Sequence, residues 1–263
     1  MRLYWEIARR GFRRYAAYPG ATLAGIFTNT VFGFLITYIL LAIFDERGQI
    51  GSYDASDAVT YTWLAQGLLM TVYIWGWYEV ALRVQSGDVA TDLQRPLDFQ
   101  RYWLAWDLGR AAYHALFRGV PPFVLGAMVF DVRLPGDPLL WLAFPLSVGL
   151  AVVVSFGFRF LFNLGAFWLL DYRGLAIIAM VISTFFSGQL IPIVLFPDWL
   201  AHLAWALPFA SMVQAPIEVW LGHAEGAKLA GLLALQAFWA AALLLLGRTV
   251  FAAGTRKLVL QGG

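Results

Sequence analysis

Apolar residues along this chain fall in runs of roughly 20, too long for the strands or surface helices of a soluble domain and matched to the hydrocarbon thickness of a bilayer. Six such runs are expected to span the membrane, over residues 21–44, 58–83, 106–130, 138–170, 174–196 and 228–251. Together they make residues 1–263 a single all-α polytopic domain. Before the first run, residues 1–20 alternate Arg2, Arg9, Arg10, Arg13 and Arg14 with Trp5, Ile7, Phe12, Tyr15 and Tyr18. That pattern fits an amphipathic interfacial helix or a cationic topogenic tail, and it lacks the central apolar core of a removable signal peptide.

Two polar interruptions break the rhythm. After the second run, residues 84–98 form the longest hydrophilic stretch between spans, and Glu79 and Arg83 at its approach are spaced i,i+4 for an ion pair. Residues 187–222 interrupt the last third of the chain with Gly188, Gln189, Pro192, Pro197 and Pro208. Proline removes a backbone donor and blocks the preceding turn, so a break here must lie in protein or near water, as a re-entrant hairpin that either gates a path or merely packs.

Composition agrees with the pattern: 61% of residues are hydrophobic and 13% charged, about half the charge of a soluble domain. Arg83, Arg95, Arg101, Arg110, Arg173, Arg256 and Lys257 join the amino-terminal arginines on one side of the spans, against Arg47, Arg133 and Lys228 on the other. The positive-inside rule then places both termini and residues 84–98 in the cytoplasm and turns the hairpin outward. Arg101, Asp107 and Arg110 read as the watery approach to the third span.

Charges at membrane depth require a partner, a wet cavity or an escape to the headgroups. Arg118 either snorkels inward or faces a pathway or subunit interface. Arg159 lies in a run long enough for a helix of about 48 Å, which either projects into the cytoplasm and leaves Arg159 interfacial, the favoured reading, or tilts and holds Arg159 inside. Tyr73, Trp75, Trp77 and Tyr78 form an aromatic cluster suited to a cationic or aromatic substrate, or to an interfacial belt.

Catalytic signatures are missing. Cysteine is absent, neither lysine lies in a phosphate loop, and His114, His202 and His223 are scattered, with no metal or nucleophile motif around them. No internal repeat of the kind that marks secondary carriers is evident. Transport driven by a partner or a gradient fits this inventory better than catalysis. An ATPase-independent carrier or a lipid-handling membrane protein is the alternative.

The order of parts resembles the permease subunit of type-2 ATP-binding cassette exporters, within the daunorubicin-resistance-like and viologen-exporter-like group. The residues that carry the resemblance are Glu79 with Gly87-Asp88-Val89 and Leu93-Gln94-Arg95-Pro96-Leu97, then Ser187-Gly188, Ile191-Pro192, Phe196-Pro197 and Leu207-Pro208-Phe209. The resemblance implies that Gly87 to Pro96 form a coupling helix, with Glu79, Arg83, Gly87, Asp88, Arg95 and Pro96 transmitting motion from an ATPase. It also implies that Gly188, Gln189, Pro192, Pro197 and Pro208 shape an outward gate, and that Trp75, Tyr78 and Arg118 are candidates for the path. The implied partners are two ATPase subunits that bind ATP and Mg, a second identical or related permease, and the lipid of a prokaryotic inner membrane. No cofactor on this chain and no nucleic acid is expected, and the cargo would be an amphipathic or drug-like compound.

Overall fold

A computed structural model of the chain describes residues 2–73, 76–169 and 171–257. Among these residues there are twelve α-helices and no β-strand, with one isolated bridge between Ile50 and Tyr53. Three helices are long and apolar enough to cross a membrane: Pro19–Arg47, Pro138–Phe167 and Ala227–Thr255, the second including a closing 3₁₀ turn. They are α2, α8 (Pro138–Leu164) and α12. The fold is that of an all-helical, polytopic membrane protein.

The amino-terminal helix α1 (Arg2–Ala16) lies against α6 (Phe99–His114) at a crossing of small residues. At Gly11 a Cβ would meet the carbonyl of Trp106, and at Gly109 it would meet the carbonyl of Ala8. Helix α2 buries Gly25, Asn29, Gly33, Thr37, Leu40 and Phe44 on one stripe, with Trp63 seated over Gly33 and the Asn29 amide donating to the Gln66 carbonyl at 3.0 Å. Its opposite face exposes Leu23, Phe27, Phe32, Leu35 and Ile39, as a lipid-facing surface requires. Helices α8 and α12 are joined by Ser147 and Gln236, whose amide donates to the carbonyls of Ser147 and Ser211.

The segments expected to form the second and third spans are not single uninterrupted α-helices. Helix α3 (Ala55–Leu68) passes into a π-turn, Leu69–Tyr73, and regular helix resumes only at α4 (Glu79–Gln85). The uninterrupted run expected over 58–83 is broken because Tyr73 and Gly76 adopt φ of 58° and 80°, which no right-handed helix accommodates. The helix that contains residue 106 begins earlier, at Phe99. Asp98 accepts from the Arg101 amide at 2.7 Å and caps α6, which continues through the π-turn Ala115–Gly119 into α7 (Val120–Val129). Asp107 and Arg110 thus lie inside the structure rather than in water.

The last third is also segmented. Helix α9 (Arg173–Phe186) ends at Gly188, which has φ 84°, and a 3₁₀ turn (Ile193–Leu195), α10 (Asp198–Ala206) and α11 (Gln214–Leu221) lead back to α12. Leu170, the expected end of the fourth span, lies outside the described residues; α8 itself stops at Leu164.

Polar contacts collect at two ends of the bundle. At one end Arg248 near the close of α12 pairs with Asp98 at 3.1 Å, and Tyr78 packs on Tyr172. At the other, Ser56 donates to the Asp131 carbonyl, Arg133 pairs with Asp54, and the Trp220 indole donates to the Arg133 carbonyl.

The α1 crossing tolerates no side chain at Gly109. Gly109→Leu is expected to separate α1 from α6 at a cost of about 1–3 kcal/mol. Hydrogen exchange should then rise across residues 2–16 and stay unchanged in α12.

Candidate functional site

A helix interrupted inside an apolar bundle exposes carbonyls at its end and amides at its restart, and apolar side chains can bond neither. Among the described residues, α6 and α8 supply the long-range partners at these interrupted ends, beside a local contact from the Tyr73 hydroxyl to the Gly76 carbonyl. Arg110 donates to the carbonyls of Met70 and Thr71, the latter at 3.0 Å, and Ser155 donates to the Val72 carbonyl at 2.7 Å. Across the break, Asn163 donates to the Trp77 carbonyl at 2.9 Å and accepts from the Ala81 amide at 3.0 Å. Asn163 thereby caps the start of α4.

Arg110 shares one carboxylate with Arg159, which itself donates to the Ser155 hydroxyl. Asp107 takes Arg110 Nε on one oxygen at 2.7 Å and Arg159 in a two-pronged contact at 3.2 and 2.7 Å. All three side chains are 1% exposed or less. Arg159 is thus enclosed by protein, paired with a partner 52 positions earlier, rather than exposed on a projecting end. Arg110 and Arg159 also lie over the Tyr73 ring, at 4.5 and 5.5 Å, and Arg159 lies 5.3 Å from the Trp77 ring.

Beyond the break, Gly87 turns the chain at φ 80° into the short helix α5 (Val89–Leu93). Asp92 pairs with Arg83 at 2.9 Å and Arg95 at 3.2 Å, binding α4, α5 and the following turn together. Arg83 does not pair with Glu79 as their spacing suggests, because the nearly buried Asp92 takes it. Glu79 is half-buried in the field of Arg14 and Arg159, with no ion pair among the described residues. Asp88 lies at the Gly87 turn, while Pro96 follows Arg95 in the turn before the Asp98 cap.

At the opposite end the hairpin is fastened to α3. Tyr61 lies within hydrogen-bond distance of the Gly188 carbonyl, at 2.7 Å, and of Gln214 Oε1, at 2.8 Å. Gln214 Oε1 also accepts from the Ile193 amide, and its amino group donates to Tyr53 and Glu218. Gln189 donates to the Ala65 carbonyl at 3.1 Å, deep along α3. A Cβ on Gly188 would run into Tyr61 and Gln214, so its left-handed backbone and its lack of a side chain are both required. Pro192 and Pro197 precede the 3₁₀ turn and α10, and Pro208 lies in the bend before α11.

His223 closes this end. Its Nε2 lies 3.3 Å from Asp57 Oδ2 and its Nδ1 3.2 Å from Glu218 Oε2, while Arg133 reaches Asp57 Oδ1 at 2.9 Å. Contacts with Asp57 and then Glu218 outweigh partial burial and push the imidazole pKa up to about 9.

The structure gathers Arg83, Gly87, Asp88, Arg95 and Pro96 around α5, and Gly188, Gln189 and Pro192 around Tyr61 and Gln214. The pathway candidates are dispersed. Trp75 lies outside the described residues. Tyr78 packs on Phe162 and Tyr172, and Trp77 is enclosed by Trp103 and Phe156. Arg118 lies over Gly25 of α2, with a buried Nε that has no hydrogen-bond partner among the described residues. Sequence reasoning did not single out Asp107, Ser155, Tyr53, Asp57, Tyr61, Gln214 or Glu218 as site residues. Asp107 carried the one usable signal, a carboxylate three residues before an arginine inside an otherwise apolar run.

A family model described as ABC-2 family transporter protein matches residues 28–262. No curated protein and no solved structure matches the chain.

Two outcomes follow from these clusters. Asp107→Asn leaves two buried guanidinium groups without a counter-charge, so unfolding in detergent should become easier by about 3–5 kcal/mol. His223 gives a pH signature. Its folded pKa lies above the unfolded value, so its contribution is complete below about pH 6.5 and is lost as pH rises through about 9. Thermal unfolding between those pH values should show the loss, and His223→Gln should remove that part of the pH dependence.

Proposed function

The chain belongs to the ABC-2 transporter family, and from that membership we propose that it is the permease subunit of an ATP-driven exporter whose ATPase is a separate chain. Six spans, cytoplasmic termini and an outward hairpin form the working topology. Charge asymmetry supports it, because the arginine-rich α1 and the α4–α5 segment share one end of the bundle.

The observation that carries the reading is the attachment of α5. This short helix is held through Asp92 to α4, and α4 is hooked by Asn163 to α8. A push from a docked ATPase is delivered sideways into α8 and, through Arg159 and Asp107, into α6. The break at Tyr73 keeps it from being passed straight up α3. Two permeases, identical or related, would enclose the path, with two ATPases below them in a prokaryotic inner membrane. The cargo in this reading is an amphipathic or drug-like compound, in keeping with a chain of few fixed charges. Tyr61 and Gln214 hold the hairpin shut against α3 until the helices tilt.

The test is reconstitution of the full chain with its ATPase. Asp92→Ala frees both Arg83 and Arg95, yet these pairs are partly exposed, so stability should change by no more than about 1 kcal/mol. ATP-dependent transport should fall by at least about tenfold, a loss of coupling worth about 1.4 kcal/mol. Unchanged transport and ATPase co-purification would remove α5 from the coupling role.

A further inference from the structure

Beside the crossing of α1 and α6 runs an open cleft of about 680 Å³. Trp5, Arg9, Phe12 and Arg13 line it from α1, and Leu108 and Ala112 line it from α6. Its size falls within the roughly 300–1,000 Å³ of small-molecule sites. We propose that this cleft binds an anionic phospholipid of the leaflet that faces α1, with the phosphate on Arg9 and Arg13 and an acyl chain along Leu108 and Ala112. The proposal rests on the reading that the chain spans a bilayer with α1 at one surface.

Charge and shape both select that occupant. Arg9 and Arg13 stand one turn apart on the same face, and Arg13 has no ion pair among the described residues. Arg9 has only a 3.6 Å contact with Glu6, both side chains being about half exposed. Two cations at the rim of an apolar trough need an anion that carries hydrocarbon. The trough continues in the right direction: one turn beyond Ala112, Leu116 is 57% exposed, followed by Phe117 at 46%. A soluble acidic ligand would satisfy the rim and leave the trough empty, whereas a zwitterionic lipid would fill the trough and bring a compensating positive charge to the rim.

The crossing also fixes the site. Because Gly11 and Gly109 bring the two backbones into contact, the cleft walls cannot slide apart or close without unseating α1. The binding geometry is set before a lipid arrives, which reduces the ordering cost of binding.

Native mass spectrometry of the full chain in detergent, titrated with phosphatidylglycerol, phosphatidylcholine or inorganic phosphate, tests the assignment. Phosphatidylglycerol should bind in preference to phosphatidylcholine, and inorganic phosphate at equal concentration should not displace it. Each arginine near an anionic surface contributes about fivefold, so Arg9→Gln with Arg13→Gln should weaken phosphatidylglycerol about 30-fold and leave phosphatidylcholine unchanged. Arg10→Gln with Arg14→Gln removes the same charge off the cleft lining and should weaken it far less. Ala112→Trp should also lower binding by filling the trough with all cations intact. Equal losses in the two double variants, no effect of Ala112→Trp, or displacement by inorganic phosphate would each overturn the proposal. The measurement uses neither ATP nor cargo, so a negative result here leaves the permease reading standing, and a failure of ATPase coupling leaves the lipid result intact.

Discussion

The end of the bundle that carries α4 and α5 depends on satisfying a helix interrupted inside protein. The carbonyls of Met70, Thr71 and Val72 and the amide of Ala81 need partners there, and α6 and α8 provide them. Arginine is suited to the task because one guanidinium can serve two carbonyls and a carboxylate together, but burying two arginines demands a carboxylate between them. Asp107 is that carboxylate. The polar core is therefore a consequence of the break, and the break persists because the core was built around it.

The opposite end of the bundle solves a related problem around an amide. Gln214 has two acceptor sites and two donors, and the hairpin uses both ends of the amide: Ile193 and Tyr61 approach the oxygen, Tyr53 and Glu218 the nitrogen. Glu218, the charged member of that set, carries the contacts on to His223, which reaches Asp57 and through it Arg133. The bundle is thus fastened by buried charge at one end and by an amide hub at the other, with α3 common to both.

Much of this was legible in the chain. Run lengths marked the long helices, Gly188 and its neighbouring prolines marked the hairpin, and Gly87 marked the turn into α5. What the sequence hid were pairings between distant residues. Asp107 and Arg110 looked like residues approaching water because a charged pair near a span end usually is; Arg159, 52 positions from Asp107, was needed to show otherwise. Arg83 and Glu79 had ideal helical spacing, and the competing Asp92 lay beyond a glycine turn that no periodicity describes. The break itself was hidden because Tyr73 is a poor candidate for positive φ and the aromatic run around it reads as span.

The contact of Gly109 with Ala8 has a mechanical consequence. With two backbones touching and no side chain between them, α1 cannot roll on α6, so the two helices turn as one rigid body. In the proposed topology, with α1 at the bilayer surface, any tilt of α6 would carry a whole row of arginines against the lipid phosphates. The surface charge of the bilayer would then act as a spring on the α6 lever, its stiffness set by lipid composition.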